Sequence, residues 1–376
     1  MPEPPVAIVG AGVAGLAIGW RLAEAGERVT IFEKGKAGRG TSWQAAGMLA
    51  PDAEIGFEEL ELYRLSRESL CRWPAFAEAL EAASGQGVDL RTEGTFAVAD
   101  DPDSAEALRR RYEFQKEQGL GVEWLSAGEA LEREPFLAPR LAAAVFAPDD
   151  YQVDNRRLVE ALRVAFERAG GTLREDTPVA SVAPDARHPS VTSEAGERVE
   201  AQAVVVAAGV GTRAIEGLEP LPAVRPVKGQ MVELQATRPF ALEHVVRGPD
   251  AYLAPKSDGR LLVGATSEER GFDRRVTAGG LFALLEGARE VVPGIDELEV
   301  TATWAGLRPA ARDNAPLLGP SALPGVVAAT GHYRHGVLLA PVTAEEIARF
   351  VLTGGETSRW IEPFLPTRFE EASTAP

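Results

Sequence analysis

The sequence lacks several features that define common functional classes. It has 1 cysteine among 376 residues, which excludes an intramolecular disulfide and a cysteine-based zinc site. No stretch approaches the ~20 apolar residues that a membrane-spanning helix needs, and the N-terminus has no signal-peptide pattern. A Gly-x-Ser-x-Gly motif is also absent, which removes the simplest hydrolase interpretation. We therefore expect a soluble, cytoplasmic protein that does not act on a membrane.

Positive charge is scarce as well. The 39 lysines and arginines face 56 acidic residues, so the formal net charge is -17. Such a charge disfavours nucleic acid and anionic membranes as partners. An anionic substrate would have to be bound by a few specific arginines against the field of the whole protein. Four histidines without ligand spacing give no reason to expect a metal site.

The chain begins with a complete strand–helix–strand unit. Val6–Val9 is a short apolar run typical of a buried parallel strand. Residues 14–24 have helical apolar spacing and stop at Gly26, and Val29–Phe32 is a second apolar run that ends at Glu33. With 45% apolar residues and this length, the chain is expected to form two lobes.

Further elements follow in an interleaved order. Helices are predicted at 57–81, 104–116, 155–169 and 338–352, and strands at 95–99, around 182, 191–193 and 199, and at 204–206, 226–233, 245–253, 260–265, 300–304 and 326–329. Nucleotide-type segments lie at both ends and in the middle, and antiparallel-looking strands fill the intervals. The order predicts an α/β fold in which residues 1–50, 145–225 and 309–365 bind a cofactor, while 51–144 and 226–308 bind substrate.

The first turn has the GxGxxG pattern. Its glycines are Gly10, Gly12 and Gly15, which permit a tight turn, close backbone approach to a pyrophosphate and close helix packing. The following helix N-terminus favours phosphate. Glu33 ends the next strand, where its carboxylate can accept bonds from ribose hydroxyls. This unit predicts a dinucleotide site but does not distinguish NAD from FAD.

A second segment favours FAD. Residues 39–48 follow the second strand at once and are mostly small, with hydroxyls at Thr41 and Ser42. Such a segment can run along a longer cofactor, bonding phosphate first and then letting backbone approach a flat ring. An NAD enzyme has no need of this second contact.

Four stretches together carry a family resemblance. They are the GxGxxG–Glu33 unit, Thr41 to Met48, the Trp-Ala-Gly-Leu-Arg-Pro run at 304–309 and the Gly-His-Tyr-Arg-His-Gly run at 331–336. Over essentially its whole length the sequence resembles the D-amino-acid-oxidase-like flavoproteins, and within them the glycine oxidase branch of the thiamin-biosynthesis type. The resemblance implies a Rossmann-like FAD domain of the glutathione-reductase type with an interleaved antiparallel-sheet domain.

The resemblance also implies specific roles. It implies non-covalent FAD bound by Gly10, Gly12, Val13, Ala14, Gly15, Glu33, Lys34, Arg39, Thr41, Ser42, Ala46, Gly47, Met48, Val179, Ala208, Gly209, Gly331, His332, Tyr333, Arg334, His335, Gly336, Val337 and Leu338. The helix after residue 338 would point its N-terminus at the flavin and stabilise negative charge there. Cys71 is remote from these motifs, so a covalent flavin link through cysteine is not expected.

Arg308, Arg334 and Tyr252 are the implied catalytic and substrate-binding residues, with Met48 beside the substrate. A guanidinium matches a carboxylate with a planar fork, so Arg308 would hold the carboxylate of a small amino acid. Glycine is the preferred substrate, dioxygen the expected acceptor, and a homotetramer the expected assembly.

Two further positions bear on the substrate, and they leave alternatives open. Ser267 stands where similar enzymes carry methionine, which would widen the pocket. Glu54 lies in a segment, 52–59, that is expected to be a mobile lid. Alternatives are a D-amino-acid dehydrogenase or oxidase, a sarcosine-type oxidase, and more remotely a flavin-binding subunit without turnover.

Overall fold

The computed structural model describes residues 4–369. The strands are β1 (Val6–Val9), β2 (Val29–Phe32), β3 (Met48–Leu49), β4 (Thr95–Ala99), β5 (Glu123–Leu125), β6 (Ala143–Ala147), β7 (Tyr151–Gln152), β8 (Thr172–Arg174), β9 (Val179–Ala183), β10 (Ser190–Ser193), β11 (Arg198–Glu200), β12 (Ala203–Val206), β13 (Arg225–Gln235), β14 (Val245–Arg247), β15 (Tyr252–Pro255), β16 (Arg260–Gly264), β17 (Glu299–Ala310), β18 (Leu317–Pro320) and β19 (Val326–Thr330). The helices are α1 (Val13–Glu24), α2 (Thr41–Gln44), α3 (Pro51–Glu54), α4 (Leu60–Ser84), α5 (Pro102–Glu117), α6 (Ala127–Arg133), α7 (Asn155–Arg168), α8 (Ala278–Val291) and α9 (Ala340–Leu352). Within the described range, no helix has the length and apolar character needed to cross a bilayer.

A six-stranded sheet forms the nucleotide lobe. Its strand order is β18-β19-β12-β1-β2-β8, parallel except for β18. Helices α1, α4, α7 and α9 cover one face, and the small sheet β9–β11 covers the other. Because both faces are covered, β1 is apolar at every position, as a buried parallel strand requires. The predicted Rossmann-like topology is confirmed.

An eight-stranded sheet forms the sheet lobe. Its order is β17-β13-β16-β15-β14-β4-β6-β5, and every pairing is antiparallel except β14 with β4. Helix α8 packs on this sheet through Leu284, Ala288 and Val291. The long pair β13 and β17 extends from Arg225 opposite Ala310 to Gln235 opposite Glu299, with one register shift between Glu233 and Leu234. The antiparallel sheet inserted between nucleotide-type segments is therefore confirmed.

Two expected boundaries do not coincide with the packing. Helix α4, placed by sequence with the substrate segments, packs against α7 and α9 in the core of the nucleotide lobe. Strand β6 crosses the boundary at 145 and pairs with β4 in the large sheet. We therefore infer that α4 belongs with the nucleotide lobe and that the second nucleotide segment begins after Ala147.

One predicted strand is wrong. The segment 245–253 forms two short strands, β14 and β15, that turn back on each other and pair Arg247 with Tyr252. The intervening Gly248 and Pro249 interrupt an apolar run that is otherwise continuous. The difference matters because the hairpin brings these two side chains to the same place.

Gly15→Ala should destabilise the protein. A methyl group at this position would lie 1.9 Å from the carbonyl oxygen of Gly10, so strand–turn–helix packing must open. We expect a loss of about 1–3 kcal/mol in the free energy of unfolding, measured by urea unfolding. Gly128→Ala, where no atom lies within 4 Å, is the control, and equal stabilities of the two variants would contradict this packing role.

Candidate functional site

One cavity of about 340 Å³ lies between the two lobes. Its walls come from the β1–α1 turn, the segment after β2, the end of β12, the large sheet and the segment before α9. Carboxyl ends of parallel strands in a nucleotide-type sheet are the usual place for a dinucleotide. The cavity is thus continuous from a nucleotide-type edge to side chains of the large sheet.

Glu33 organises the nucleotide end. Its carboxylate accepts hydrogen bonds from the backbone N–H of Ala11 at 2.8 Å and of Gly35 at 3.1 Å. It therefore joins the glycine-rich turn to the segment after β2, in addition to lining the cavity. Helix α1 begins after Gly12 without a cap from Gly12 itself, and the hydroxyl of Ser42 accepts from Val13 N–H at 3.0 Å.

Residues 41–48, which we call the contact strip, are bonded to both lobes. Thr41 Oγ1 donates to the carbonyl of Leu307 at 2.7 Å. The Trp304 indole N–H donates to the Gln44 carbonyl at 3.0 Å. From the nucleotide lobe, the Asn155 amide donates to the carbonyls of Ser42 and Trp43 at 2.8 and 2.9 Å. These bonds fix the backbone of the contact strip along the cavity wall.

Gly47 is required by this arrangement. Its φ is +78°, and a Cβ there would lie 2.0 Å from the carbonyl oxygen of Val153. The same two residues are joined by a hydrogen bond from Val153 N–H to the Gly47 carbonyl at 2.8 Å. Close backbone approach on one side leaves the other side of Gly47 in the cavity wall.

Lys256 completes the support of the contact strip. Only 4% of this residue is exposed. Its amine donates to the carbonyl of Ala46 at 2.7 Å, to that of Val153 at 3.0 Å and to Gln152 Oε1 at 3.2 Å. Burial lowers the pKa of Lys256 to about 7, although Asp154 and Asp89 oppose that shift. Each ammonium proton thus has its own acceptor, which is what a buried charge needs.

Arg308 lies at the sheet end of the cavity. Its guanidinium occupies the space above Gly229, where a Cβ would be 2.6 Å from the guanidinium nitrogens, and it donates to the Thr266 carbonyl at 3.0 Å. Tyr252 lies nearby and donates to Met231 Sδ at 3.3 Å. Burial raises the pKa of Tyr252 above its usual value, and the neighbouring Arg308 opposes the shift. The phenol therefore stays protonated at neutral pH and can donate a hydrogen bond.

Glu54, in the segment 52–59 that is expected to be a lid, is held by helix α3 and by an ion pair with Arg247. It ends helix α3, whose N-terminal N–H groups at Asp52 and Ala53 donate to the buried Asp150 carboxylate at 3.0 and 3.1 Å. Burial alone would raise the pKa of Glu54, but Arg247, with which it forms an ion pair, reverses the shift and lowers it. An ionised carboxylate therefore lines the cavity next to Arg247.

The segment before α9 supplies the remaining wall. His332 and His335 are both buried, and burial lowers the pKa of His332 to about 4. The His332 ring bonds Thr343 Oγ1 at 3.1 Å. Since His332 is neutral at physiological pH, positive potential here comes from Arg334 and the N-terminus of α9, which has no side-chain cap.

Most predicted site residues meet in this one cavity. Those that line it are Gly10, Gly12, Val13, Ala14, Glu33, Lys34, Thr41, Ser42, Ala46, Gly47, Met48, Ala208, Gly209, Tyr252, Arg308, His332, Tyr333, Arg334, Gly336 and Val337. Six predicted cofactor residues are not part of its wall: Gly15, Arg39, Val179, Gly331, His335 and Leu338. Gly15 acts in helix packing, Arg39 stacks 3.5 Å from the Trp43 ring centroid, and His335 packs behind the wall with Nδ1 3.8 Å from Glu54.

Sequence reasoning missed several residues of the site. Lys256 precedes a Ser-Asp-Gly turn and looks like a surface lysine. Arg247 and Arg274 line the cavity, but neither belongs to a quoted motif. Correct recognition of the β14–β15 hairpin would have found Arg247, because that hairpin places it directly opposite Tyr252.

The family follows from a match over most of the chain. A model of the FAD dependent oxidoreductase family matches residues 5–350. This chain belongs to that family. A glycine oxidase of Geobacillus kaustophilus is 41% identical over 366 residues, 96% of each chain. The Synechocystis bifunctional protein ThiO/ThiG is 34% identical over 99% of this chain and 55% of its own length.

Solved structures agree with this FAD-dependent oxidoreductase assignment. The crystal structure of glycine oxidase from Geobacillus kaustophilus matches with a TM-score of 0.91 at 40% identity, over 97% of this chain and 99% of that one. Iminodiacetate oxidase from Chelativorans sp. BNC1 matches with a TM-score of 0.85 at 27% identity, over 96% of this chain and 98% of that one.

The residues present fit FAD. The cavity begins at the N-terminus of α1, where Gly12 has no side chain to cap the helix. It then extends past the Glu33 carboxylate to the contact strip. A Cβ at Gly12 would lie 3.3 Å from Ser42 Oγ, so the glycine keeps the turn close to the contact strip. Such a continuous wall suits a cofactor longer than a mononucleotide.

Glu33→Ala should weaken FAD retention at least several-fold. The change removes a carboxylate that accepts two backbone bonds and lines the nucleotide end, and charge-assisted bonds of this kind are worth ~1.5–3 kcal/mol each. The flavin-to-protein ratio after gel filtration measures it. Glu24→Ala, at an exposed ion pair with Arg21, is the control; equal flavin content in both variants would contradict the role of Glu33.

Lys256→Met should change how stability depends on pH. The folded amine has a pKa of about 7 and the ordinary value is 10.5, so between these values the unfolded chain binds a proton that the folded chain does not. Stability of the wild type relative to the variant should therefore rise with pH across this window. Urea unfolding at pH 6.5, 8 and 9.5 measures the difference.

Lys116→Met, at an exposed lysine, is the control for this titration. A difference between the wild type and the Lys256 variant that stays constant from pH 6.5 to 9.5 would show that burial of the amine has no such effect.

Proposed function

We propose that the protein catalyses the FAD-dependent oxidative deamination of glycine or a similarly small amino acid. The observation that carries the proposal is Arg308, a guanidinium facing the cavity, bonded to a backbone carbonyl and to no carboxylate of residues 4–369. A planar fork free of an internal partner suits the carboxylate of an amino acid. The two glycine oxidase matches, one in sequence and one in structure, support the same substrate.

FAD held along Glu33, Ser42 and Gly47 would supply the redox chemistry, with dioxygen as the final two-electron acceptor and hydrogen peroxide as the product. The protein's own residues orient the substrate. Arg308 and Arg334 bind the carboxylate, Tyr252 donates a hydrogen bond, and Met48 and Met231 pack beside the substrate. The amine enters the reaction neutral, and the resulting imino acid is hydrolysed by water to glyoxylate and ammonium.

No acid–base side chain is required at the reacting carbon. The nearby titratable groups are held in one state: Glu54 is paired with Arg247, Tyr252 stays protonated and His332 stays neutral. Orientation then provides most of the protein's contribution to the rate. The match to a bifunctional ThiO/ThiG protein supports a role in supplying the imine for thiamin thiazole formation.

Anaerobic mixing with glycine, sarcosine and D-alanine tests the proposal. Loss of the visible absorption of the oxidised flavin, reversed by air, is the expected result, and the relative rates rank the three substrates. A yellow protein that none of the three bleaches would contradict the proposal. Failure of the purified protein to bind FAD would contradict the FAD dependence on which the proposal rests.

Arg308→Ala should lower kcat/KM for glycine by about 10–100-fold, mostly through KM, with normal FAD content, because a charge-assisted bond to a carboxylate is worth ~1.5–3 kcal/mol. Steady-state oxygen consumption measures it. Arg312→Ala, at an exposed arginine four residues along that is not part of the cavity wall, is the matched control. Unchanged glycine kinetics in the Arg308 variant would remove the assignment.

A further inference from the structure

The sheet end of the cavity has more guanidinium groups than one carboxylate requires. Four arginines line the cavity: Arg247, Arg274, Arg308 and Arg334. The acidic residues of the same wall, in the described part of the chain, are Glu33 at the nucleotide end and Glu54 at the sheet end. This excess of positive charge occurs in a protein whose formal net charge is -17.

Within residues 4–369, one of the four arginines forms an ion pair with a carboxylate. Arg247 forms an ion pair with Glu54. Among residues 4–369, no carboxylate forms an ion pair with Arg274, Arg308 or Arg334. Arg111 is a further positive charge near Arg247. Burial is the main cause that lowers the pKa of Arg111, and the charge of Arg247 is the second. Arg274 is itself exposed at the cavity rim, and the excess of positive charge along this wall favours an anionic ligand with more than one charge.

The chain brings Arg274 toward the edge of the sheet that presents Arg308. The buried amine of Lys228 lies 3.7 Å from the Asp273 carboxylate and 3.6 Å from that of Glu268. Lys228 pairs with Leu307, the neighbour of Arg308, across β13 and β17. Backbone bonds between Lys228 and Glu268 at 2.9 and 3.0 Å attach the same loop. Asp273 is therefore held near the part of β17 that carries Arg308, and Arg274 is the next residue in the chain.

Arg275, the next residue after Arg274, has a carboxylate partner. Arg275 bonds the Asp273 carboxylate through Nε at 3.0 Å, so its charge is balanced, and it is not part of the cavity wall. Arg274 has no such partner in the described chain and lines the cavity. Of the two adjacent arginines on this loop, Arg274 is the one available to a ligand.

Ser267 gives a second carboxylate room. It lies in the cavity wall on the same loop, one residue after Thr266, whose carbonyl accepts from Arg308. A serine leaves the space that a long side chain would fill and adds a hydroxyl donor. The cavity wall thus combines the exposed, short polar side chain of Ser267 with the guanidiniums of Arg308 and Arg274.

We propose that the preferred substrate class is a secondary amine with two carboxylates, of the N-carboxymethyl amino acid type. Arg308 binds the carboxylate of the arm that is oxidised, and Arg274 binds the second carboxylate. The inference rests on the proposed amine oxidase function and narrows its substrate.

The reaction of such a substrate balances with the same oxidant. Iminodiacetate loses two electrons and two protons across one C–N bond, and dioxygen takes them up as hydrogen peroxide. Water then adds to the imine carbon and the C–N bond breaks, which releases glyoxylate and glycine. Nothing beyond dioxygen and water is consumed.

A pair of substrates of equal size tests the second carboxylate. The holoenzyme is assayed for oxygen consumption with iminodiacetate and with its monoamide, N-(carbamoylmethyl)glycine, which lacks only the second charge. We expect kcat/KM to be about 10-fold or more higher for iminodiacetate. A ratio near one, or faster oxidation of the monoamide, would overturn the inference while leaving glycine oxidation intact.

The Arg274→Gln variant tests the residue. It should lose that preference, bringing the ratio close to one. Arg270→Gln, at an exposed arginine on the same loop that is not part of the cavity wall, should keep the preference. Identical ratios in the two variants would overturn the role of Arg274.

A binding measurement separates this inference from the proposed function. Oxydiacetate and methoxyacetate have no oxidisable amine and differ in the second carboxylate, and their dissociation constants follow from the shift of the flavin absorption. Oxydiacetate should bind about 10-fold more tightly to the wild type and no more tightly to Arg274→Gln. Equal affinities in the wild type would overturn the inference, whereas unreactive amines with this binding pattern would overturn only the oxidase function.

Discussion

The amine of Lys256 lies between the two lobes and holds the wall of the cavity in place. It comes from the turn after β15 in the sheet lobe and bonds the carbonyls of Ala46 in the contact strip and of Val153 before α7. Burying an ammonium is costly unless every proton has an acceptor. Because its acceptors come from separate chain segments, those segments must lie in one fixed arrangement for the buried amine to keep its hydrogen bonds. The geometry of the contact strip, and of any ring lying against it, depends on this bond set.

A second constraint is the distribution of charge. The protein has a formal net charge of -17, yet the sheet end of the cavity is rich in arginine. A cavity with low-dielectric walls focuses the field of its own charges, so a local positive potential can persist within a negative protein. The acidic exterior disfavours large anions, and the cavity selects a small one. Selectivity for a compact carboxylate follows from the combination.

The sequence predicted the nucleotide lobe well because its signals are local. An apolar run, a glycine-rich turn and a helical period all lie within 33 residues, and the structure reproduces them as β1, α1 and β2. Helix α8 went unpredicted because Gly279, Gly280 and Gly287 lower its intrinsic helix propensity. Gly287 is needed for packing, since a Cβ there would lie 2.9 Å from the Asp250 side chain. Tertiary contact thus explains both the glycine and the missed helix.

The residues of the candidate site also fall into a group that local sequence motifs predict and a group that they do not. Arg308 and the contact strip belong to contiguous motifs and were found from sequence, whereas Lys256, Arg247 and Arg274 acquire their places only through pairing of distant strands. Resemblance therefore carries information about FAD and a first carboxylate. The residues around the rest of the substrate depend on how the strands of the large sheet pair, because that pairing places the arginines that give the cavity its positive charge.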